Sequence, residues 1–388
     1  MEQEANAGKT EEMQPGIPES YGVGFSTFLY KTLPHFLTAR QGVYSPLNAY
    51  ITLALLAELT AGESRGQILS LLEAEDVEVL RTEAAAIWRA NVWEGRDGTS
   101  LLANSLWLRQ GICCNPAVLS KIKSFYHTAC YQGVMGSLEF CQSQQQWLDA
   151  NTRHQLSEQA EHIFMEPDTI LGLASAISFQ ACWMDSLEKE KNTREVFHGS
   201  EGDIICEFMH ESARNNYYWG ERFLAVRRFF QEGSTMWLVL PEDGHSPEEL
   251  LRHGQVISLV LEEESWENQG EAWVTLSLPK FCVSSEFDFC KGWRELGITD
   301  IFDEERSDFG PLVNRDYITV SQALHAASVT IDEQGCEAAA FTAVSMEMTS
   351  ALLEELEEID IRLDRPFLFF ITSPFGQILF AGIVAKPL

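Results

Sequence analysis

Nine cysteines and nine histidines are the residues best able to do chemistry in this chain of 388, as thiolate nucleophiles, metal ligands or proton carriers. Their spacing argues against all three roles. Cys113 and Cys114 are adjacent, which suits neither a zinc knuckle nor a CxxC redox pair. The other seven, Cys130, Cys141, Cys182, Cys206, Cys282, Cys290 and Cys336, are thinly spread and leave an odd total, so no disulfide framework is expected and a reducing history is implied. The histidines stand singly; His210 is followed by ESARNN, with no second His four residues on. Neither a GxSxG elbow nor a GxxxxGKS phosphate loop occurs. No catalytic residue, metal or cofactor is therefore expected, and the chain is not read as an enzyme.

A different kind of pattern stands near the carboxyl end, in GCEAAAFTAVS over 335–345. In an extended chain alternate side chains point to opposite faces. Steps of two from Cys336 give Cys336, Ala338, Ala340, Thr342, Val344 and Met346, a set without charge. The other set, Glu337, Ala339, Phe341, Ala343, Ser345 and Glu347, carries both charges. This is the pattern of a half-buried strand, written in small residues that could slide between two neighbours without a bulky group to accommodate. Gly335 supplies the backbone freedom of a hinge.

Composition limits the partners. With 58 acidic against 27 basic residues and a formal charge of −31, a nucleic-acid or anionic-membrane surface is not expected, since both are bound through clustered Lys and Arg. No apolar run is long enough to span a bilayer. Residues 1–21 are polar and acidic, without a basic start or an apolar h-region, and read as a disordered tail. Localisation stays open: extracellular or cell-surface if an export signal has been removed, otherwise cytoplasmic.

The elements that must position the segment read as helices first and strands later. YSPLNAYITLALLAELTAGESRGQI gives two stacked helices broken at Gly62, and LSKIKSFYHTACY and SQQQWLDANTRHQL return to helical period. ANSLWL, ILGLASAISFQACW, TMWLVLP, AWVTLSLPKF, YITVSQALHAASVTI, PFLFFITS and QILFAGIV read as strands. Long strands apolar on both faces imply a covered central sheet, and the order of elements favours α+β over a βαβ repeat. Length alone suggests roughly two to three domains, although no linker or repeat divides the chain.

These segments carry a resemblance over nearly the whole chain. YSPLNAY, GESRGQI, ANSLWL, FQACW leading to VFH, LPKF, FDEERSDF, VSQALHAASVTIDEQGCEAAAFTAV and DRPFLFFITSPFGQILFAGIV stand in one order, and in that order the sequence resembles the serpin family of serine-protease inhibitors. The vocabulary is most similar to that of inhibitory members from gut bacteria. The resemblance implies a single domain over 22–388, with a central five-stranded sheet and two further sheets, about nine helices and an exposed reactive-centre loop over about 333–364.

The resemblance also implies a mechanism. The loop is bait; a serine protease cuts it and becomes acyl-linked to it. The segment before the cut then inserts as a strand into the central sheet and drags the protease into a distorted, trapped state. Glu333, Gly335, Cys336, Ala338, Ala340 and Thr342 would form the hinge and the inserting face. Phe341 departs from the family's usual small residue but falls on the outward set. Ser45 and His325 resemble the polar shutter beneath the opening sheet, and Trp183 the aromatic residue where the loop enters; ordinary core packing is the alternative for all three. Where the shutter usually has Asn this chain has Ser175, which leaves the bonding of His325 open.

Counted from Glu333 as members of the family count it, the reactive bond is Thr349–Ser350, and the intervening segment spans roughly 56 Å as a strand. No Lys or Arg occurs between Cys336 and Ile361, so trypsin-like enzymes have nothing to grip, and a small β-branched Thr suits an elastase-like pocket. Glu354, Glu355, Glu357, Glu358 and Asp360 would steer a basic protease, such as those of neutrophil granules. A cut at Leu352 or Leu353 would imply a chymotrypsin-like target instead. Lys121 and Lys123 are too few for a heparin site. The expected protein is a monomeric suicide inhibitor; the alternative is a non-inhibitory storage, carrier or chaperone protein of the same fold.

Overall fold

The computed structural model describes residues 23–38, 41–96, 98–153, 165–314, 318–336 and 356–387. The tail expected over 1–21 and the stretch 337–355 lie outside these. Nine α-helices are present among the described residues: α1 Val23–Phe36, α2 Pro46–Leu59, α3 Gly62–Leu71, α4 Val77–Asn91, α5 Pro116–Tyr126, α6 Leu138–Thr152, α7 Pro247–His253, α8 Gln255–Leu261 and α9 Phe289–Glu295. The strands, in chain order, are β1 Gly42–Tyr44, β2 Trp93–Glu94, β3 Gly98–Arg109, β4 Ala129–Gly133, β5 Leu171–Cys182, β6 Thr193–Gly199, β7 Gly202–Trp219, β8 Phe223–Phe229, β9 Thr235–Pro241, β10 Gln269–Pro279, β11 Phe281–Asp288, β12 Val320–Ile331, β13 Gly335–Cys336, β14 Glu358–Arg362, β15 Phe367–Thr372 and β16 Ile378–Val384.

α2 shows why an apolar sequence becomes a central element here. Ser45 caps it, accepting from the Asn48 N–H, and Pro46 occupies the first turn, where its missing donor costs nothing. Every residue of the helix is buried, as expected of a helix apolar on all sides, and it packs against α4, β5 and β16. Its one carboxylate, Glu58, is held by Arg81 through two bonds and by the Tyr126 hydroxyl. Burial, with Glu58 beside it, pushes the Tyr126 hydroxyl's pKa well above the ordinary range.

β3, β4, β5, β11 and β12 are the five substantial strands of the central sheet. Two further strands of two residues each, β2 and β13, bring the total to seven. The two additional sheets expected from the sequence are continuous: β7, eighteen residues long, pairs with β6, β8 and β10, so that one nine-stranded ladder runs from β1 to β14. A large apolar core lies between the ladders and α2. A smaller one, with Trp107, Phe140, Trp147 and Met165, fills the space beneath α6.

Two expectations shift at element ends. The helical reading of LSKIKSFYHTACY stops at Tyr126, because His127 turns left-handed at φ 50 and Ala129–Gly133 then pairs alongside β3. The loop expected to run to about 364 is also shorter. Glu358–Arg362 forms β14, parallel to β10, and Leu363 continues with an N–H bond to the Ser277 carbonyl.

Candidate hinge, breach and shutter

β5 and β12 lie side by side and parallel only over their first halves, from Val320 opposite Leu171 to Ala326 opposite Ala176. Further up, β13 stands between them, antiparallel to both: Gly335 faces Cys182, while Cys336 faces Ala181 on one side and Ile331 on the other. Among the described residues, no ladder joins Ile177–Gln180 to Ala327–Thr330. The chain that leaves β12 thus turns back and starts a new strand inside the sheet.

The turn is built from Asp332–Gly335. The Asp332 carboxylate accepts from the backbone N–H groups of Gln334 and Gly335 at 2.7 and 3.2 Å, and the Asp332 N–H closes on the Gly335 carbonyl. Gly335 has φ 148, and a Cβ there would stand 2.0 Å from the Ala181 carbonyl oxygen. Both facts require glycine. Cys336, first of the uncharged set, is buried, with its thiol toward the Phe179 carbonyl at 3.6 Å.

Trp183 holds this turn from the β5 side. Its backbone N–H donates to the Gln334 carbonyl and its indole N–H to the Asp332 carbonyl at 2.9 Å. The ring is fully buried, stacked on Phe230 at 4.3 Å and covered by the Arg228 guanidinium at 4.8 Å. Arg228 is itself buried, and its two terminal nitrogens donate to the Glu211 carboxylate and the Asp185 carbonyl. Burial pushes the Glu211 carboxyl's pKa up against the pull of Arg228.

Glu333 is gripped from elsewhere in the fold. Its carboxylate meets Lys280 Nζ at 2.6 Å and accepts from the Asn192 amide at 2.6 Å. Lys280 and Asn192 also bind Glu207. Burial alone would raise the Glu333 pKa, but the bonds from Lys280, the backbone and Asn192 outweigh it and hold the carboxyl below its usual range. Lys280 lay in the LPKF landmark with no role assigned; Asn192, Glu207, Arg228 and Glu211 gave no local signal.

Lower in the sheet, the structure brings Ser45 and His325 together and adds Ser175. The Ser45 N–H donates to His325 Nε2 at 3.4 Å, which makes Nε2 the acceptor and leaves Nδ1 to donate to Ser175 Oγ at 3.1 Å. The serine in the place expected for Asn therefore does bond the ring. Beside Ser175 on β3 stands Asn104, whose side-chain carbonyl accepts from Thr52 of α2. His325 is stacked on Phe289 at 4.9 Å, and burial lowers its pKa to about 3, so the ring is neutral at ordinary pH.

Ala338, Ala340, Thr342, Thr349 and Ser350 lie outside the described residues. Among those described, no cluster of His, Cys, Asp and Glu could hold a metal, and no helix is long and apolar enough to cross a membrane. None of the nine cysteines forms a disulfide.

Comparison with known proteins gives the same picture. The family model described as Serpin (serine protease inhibitor) matches residues 22–387. An uncharacterized serpin-like protein of Thermococcus kodakarensis is 25% identical over 73% of this chain and 66% of its own length. Serpin-ZX of Arabidopsis thaliana is 25% identical over 89% of this chain and 92% of its own. Among solved structures, the thermophilic serpin tengpin in its native state superposes with a TM-score of 0.83 at 21% identity, covering 94% of this chain and 93% of that one. With a family match of that extent on a sheet that already admits the first residues of a new strand, the chain belongs to the serpin family.

Proposed function

We propose that this serpin inhibits serine endopeptidases as a suicide substrate, through cleavage at Thr349–Ser350. The protease serine oxygen attacks the Thr349 carbonyl carbon, the C–N bond to Ser350 breaks with protonation of the Ser350 amine, and Thr349 stays esterified to the enzyme. Insertion of the segment behind Thr349 between β5 and β12 then outruns hydrolysis of the ester. The carrying observation is β13: Gly335–Cys336 already pairs antiparallel to both neighbours, in the orientation a longer inserted strand would take, and the residues that follow alternate without charge on one set.

Thr349 suits an elastase-like target with a shallow pocket, and the acids after the bond favour a basic one. The test is incubation with a panel of serine proteases, read on a denaturing gel and by mass spectrometry of the released peptide. A one-to-one complex that survives denaturant, with a peptide beginning at Ser350, is expected. Turnover by every protease, with no such complex, would falsify the proposal.

The second reading is a carrier or storage protein. Thyroxine-binding globulin bound to thyroxine superposes with a TM-score of 0.82 at 19% identity, which is a likeness of fold. Loop cleavage separates the two. An inserted strand worth about 10 kcal/mol would raise the melting temperature by roughly 12 °C in a chain of 388 residues, whereas a sheet that never accepts its loop would leave it unchanged.

A further inference from the structure

β10 alternates over Glu271–Leu276, exposed at Glu271, Trp273 and Thr275 and buried at Ala272, Val274 and Leu276. Trp273 therefore lies on the outer face, 47% exposed. In register it stands between Arg214 of β7 and Glu358 of β14. Its indole N–H donates to Ser212 Oγ at 2.8 Å, which fixes the ring without covering it. Two residues on, Thr275 faces Asp360. Arg214 is spent on Glu271, and Arg362, the cation of β14, is spent on Glu195 and Asp364. The exposed carboxylates of Glu358 and Asp360 thus meet no cation among the described residues.

An exposed tryptophan alone calls for no explanation. This one is held rigid, has two uncompensated carboxylates beside it, and sits against the strand into which the bait loop runs. Glu358 follows Thr349 by nine residues, a reach of at most about 30 Å. A chymotrypsin-sized protease, about 20 Å in radius, seated on Thr349 would overhang this face.

We propose that Trp273, Glu358 and Asp360 form a second contact surface for the target, a serine protease with a cationic rim around its active site. The surface rests on the inhibitor reading and adds to it where specificity is set. A protease Arg or Lys would lie over the indole face and pair with the carboxylates. The acids govern the rate of encounter, and the ring governs the lifetime of the docked pair.

The experiment uses the full chain and a basic elastase-like protease in two forms, one active and one with its catalytic serine replaced by alanine. With the active form, Trp273→Ala and the double variant Glu358→Ala, Asp360→Ala should each slow covalent-complex formation by roughly tenfold. The stoichiometry of the complex should be unchanged, and the effect of the acids should vanish near 1 M salt, where screening acts within about 3 Å. With the inactive form, Kd should rise by a similar factor for Trp273→Ala and much less for Trp273→Phe. Parental rate and Kd in a Trp273→Ala protein that melts like the parent would overturn the surface and leave the inhibitor reading standing. Should the parent form no covalent complex, the inhibitor reading falls, and the inactive protease still decides. Binding weakened by Trp273→Ala supports the surface; no binding, or binding indifferent to Trp273, overturns it.

Discussion

Glu333 Oε1 lies 2.6 Å from Lys280 Nζ, and this contact ties the turn over 332–335 to the end of β10, in the other sheet system. The ammonium also holds Glu207 at 3.2 Å. Removal of Glu333 therefore leaves Lys280 with a weaker partner, and a cation at 333 would face it directly.

Glu333→Lys should destabilise the native state by about 2–4 kcal/mol, somewhat less than the roughly 3–5 kcal/mol for breaking a fully buried ion pair, because Lys280 keeps part of its exposure. Much of that should return in the swapped variant Glu333→Lys, Lys280→Glu. Denaturant unfolding of the parent, the two single variants and the double variant measures the coupling. A coupling energy near zero would show that the pair holds nothing.

Gly335→Ala should drive the first residues of β13 out from between β5 and β12. The added Cβ would collide with the Ala181 carbonyl, and φ 148 is a region L residues avoid. A stability loss of about 1–3 kcal/mol is expected, with greater hydrogen exchange at the upper ends of β5 and β12. Parental exchange there would mean that β13 contributes nothing to sheet closure.

His325 predicts a pH dependence with a definite sign. The ring is held neutral in the fold, with a pKa near 3, against about 6.5 in the unfolded chain. Between these values the unfolded state binds the extra proton, so this contribution is fully present above about pH 6.5 and is lost progressively as pH falls toward 3. The melting temperature of the parent should drop over that window more steeply than that of His325→Gln. Parallel curves would exclude the ring as the source.

Thr342→Arg would place a cation on the face that carries Cys336. If the segment inserts as proposed, burying the unpaired charge costs several kcal/mol, and inhibition should give way to turnover of the protein as a substrate. Phe341→Arg, one residue away on the opposite set, should inhibit nearly as well as the parent. Equal inhibition by both variants would refute the alternation.

The fold and the need for glycine at 335 were legible in the sequence because their information is local. Period-two alternation from Cys336, glycine at 335 and the all-apolar run of α2 each follow from backbone geometry acting on neighbouring residues. So did the class, from helices early and strands late. Only the tertiary structure decided what holds the turn over 332–335. Lys280, Asn192 and Trp183 converge on residues 332–335 from the segments beside β10, β6 and β5, and Arg228 of β8 backs Trp183. Ser175 and His325 meet across 150 positions of chain. Such contacts depend on the pairing register of distant strands, which no short window of sequence encodes. The same holds for β13. The alternating residues declare that a strand can form there; the separation of β12 from β5 above Ala326 decides where it begins.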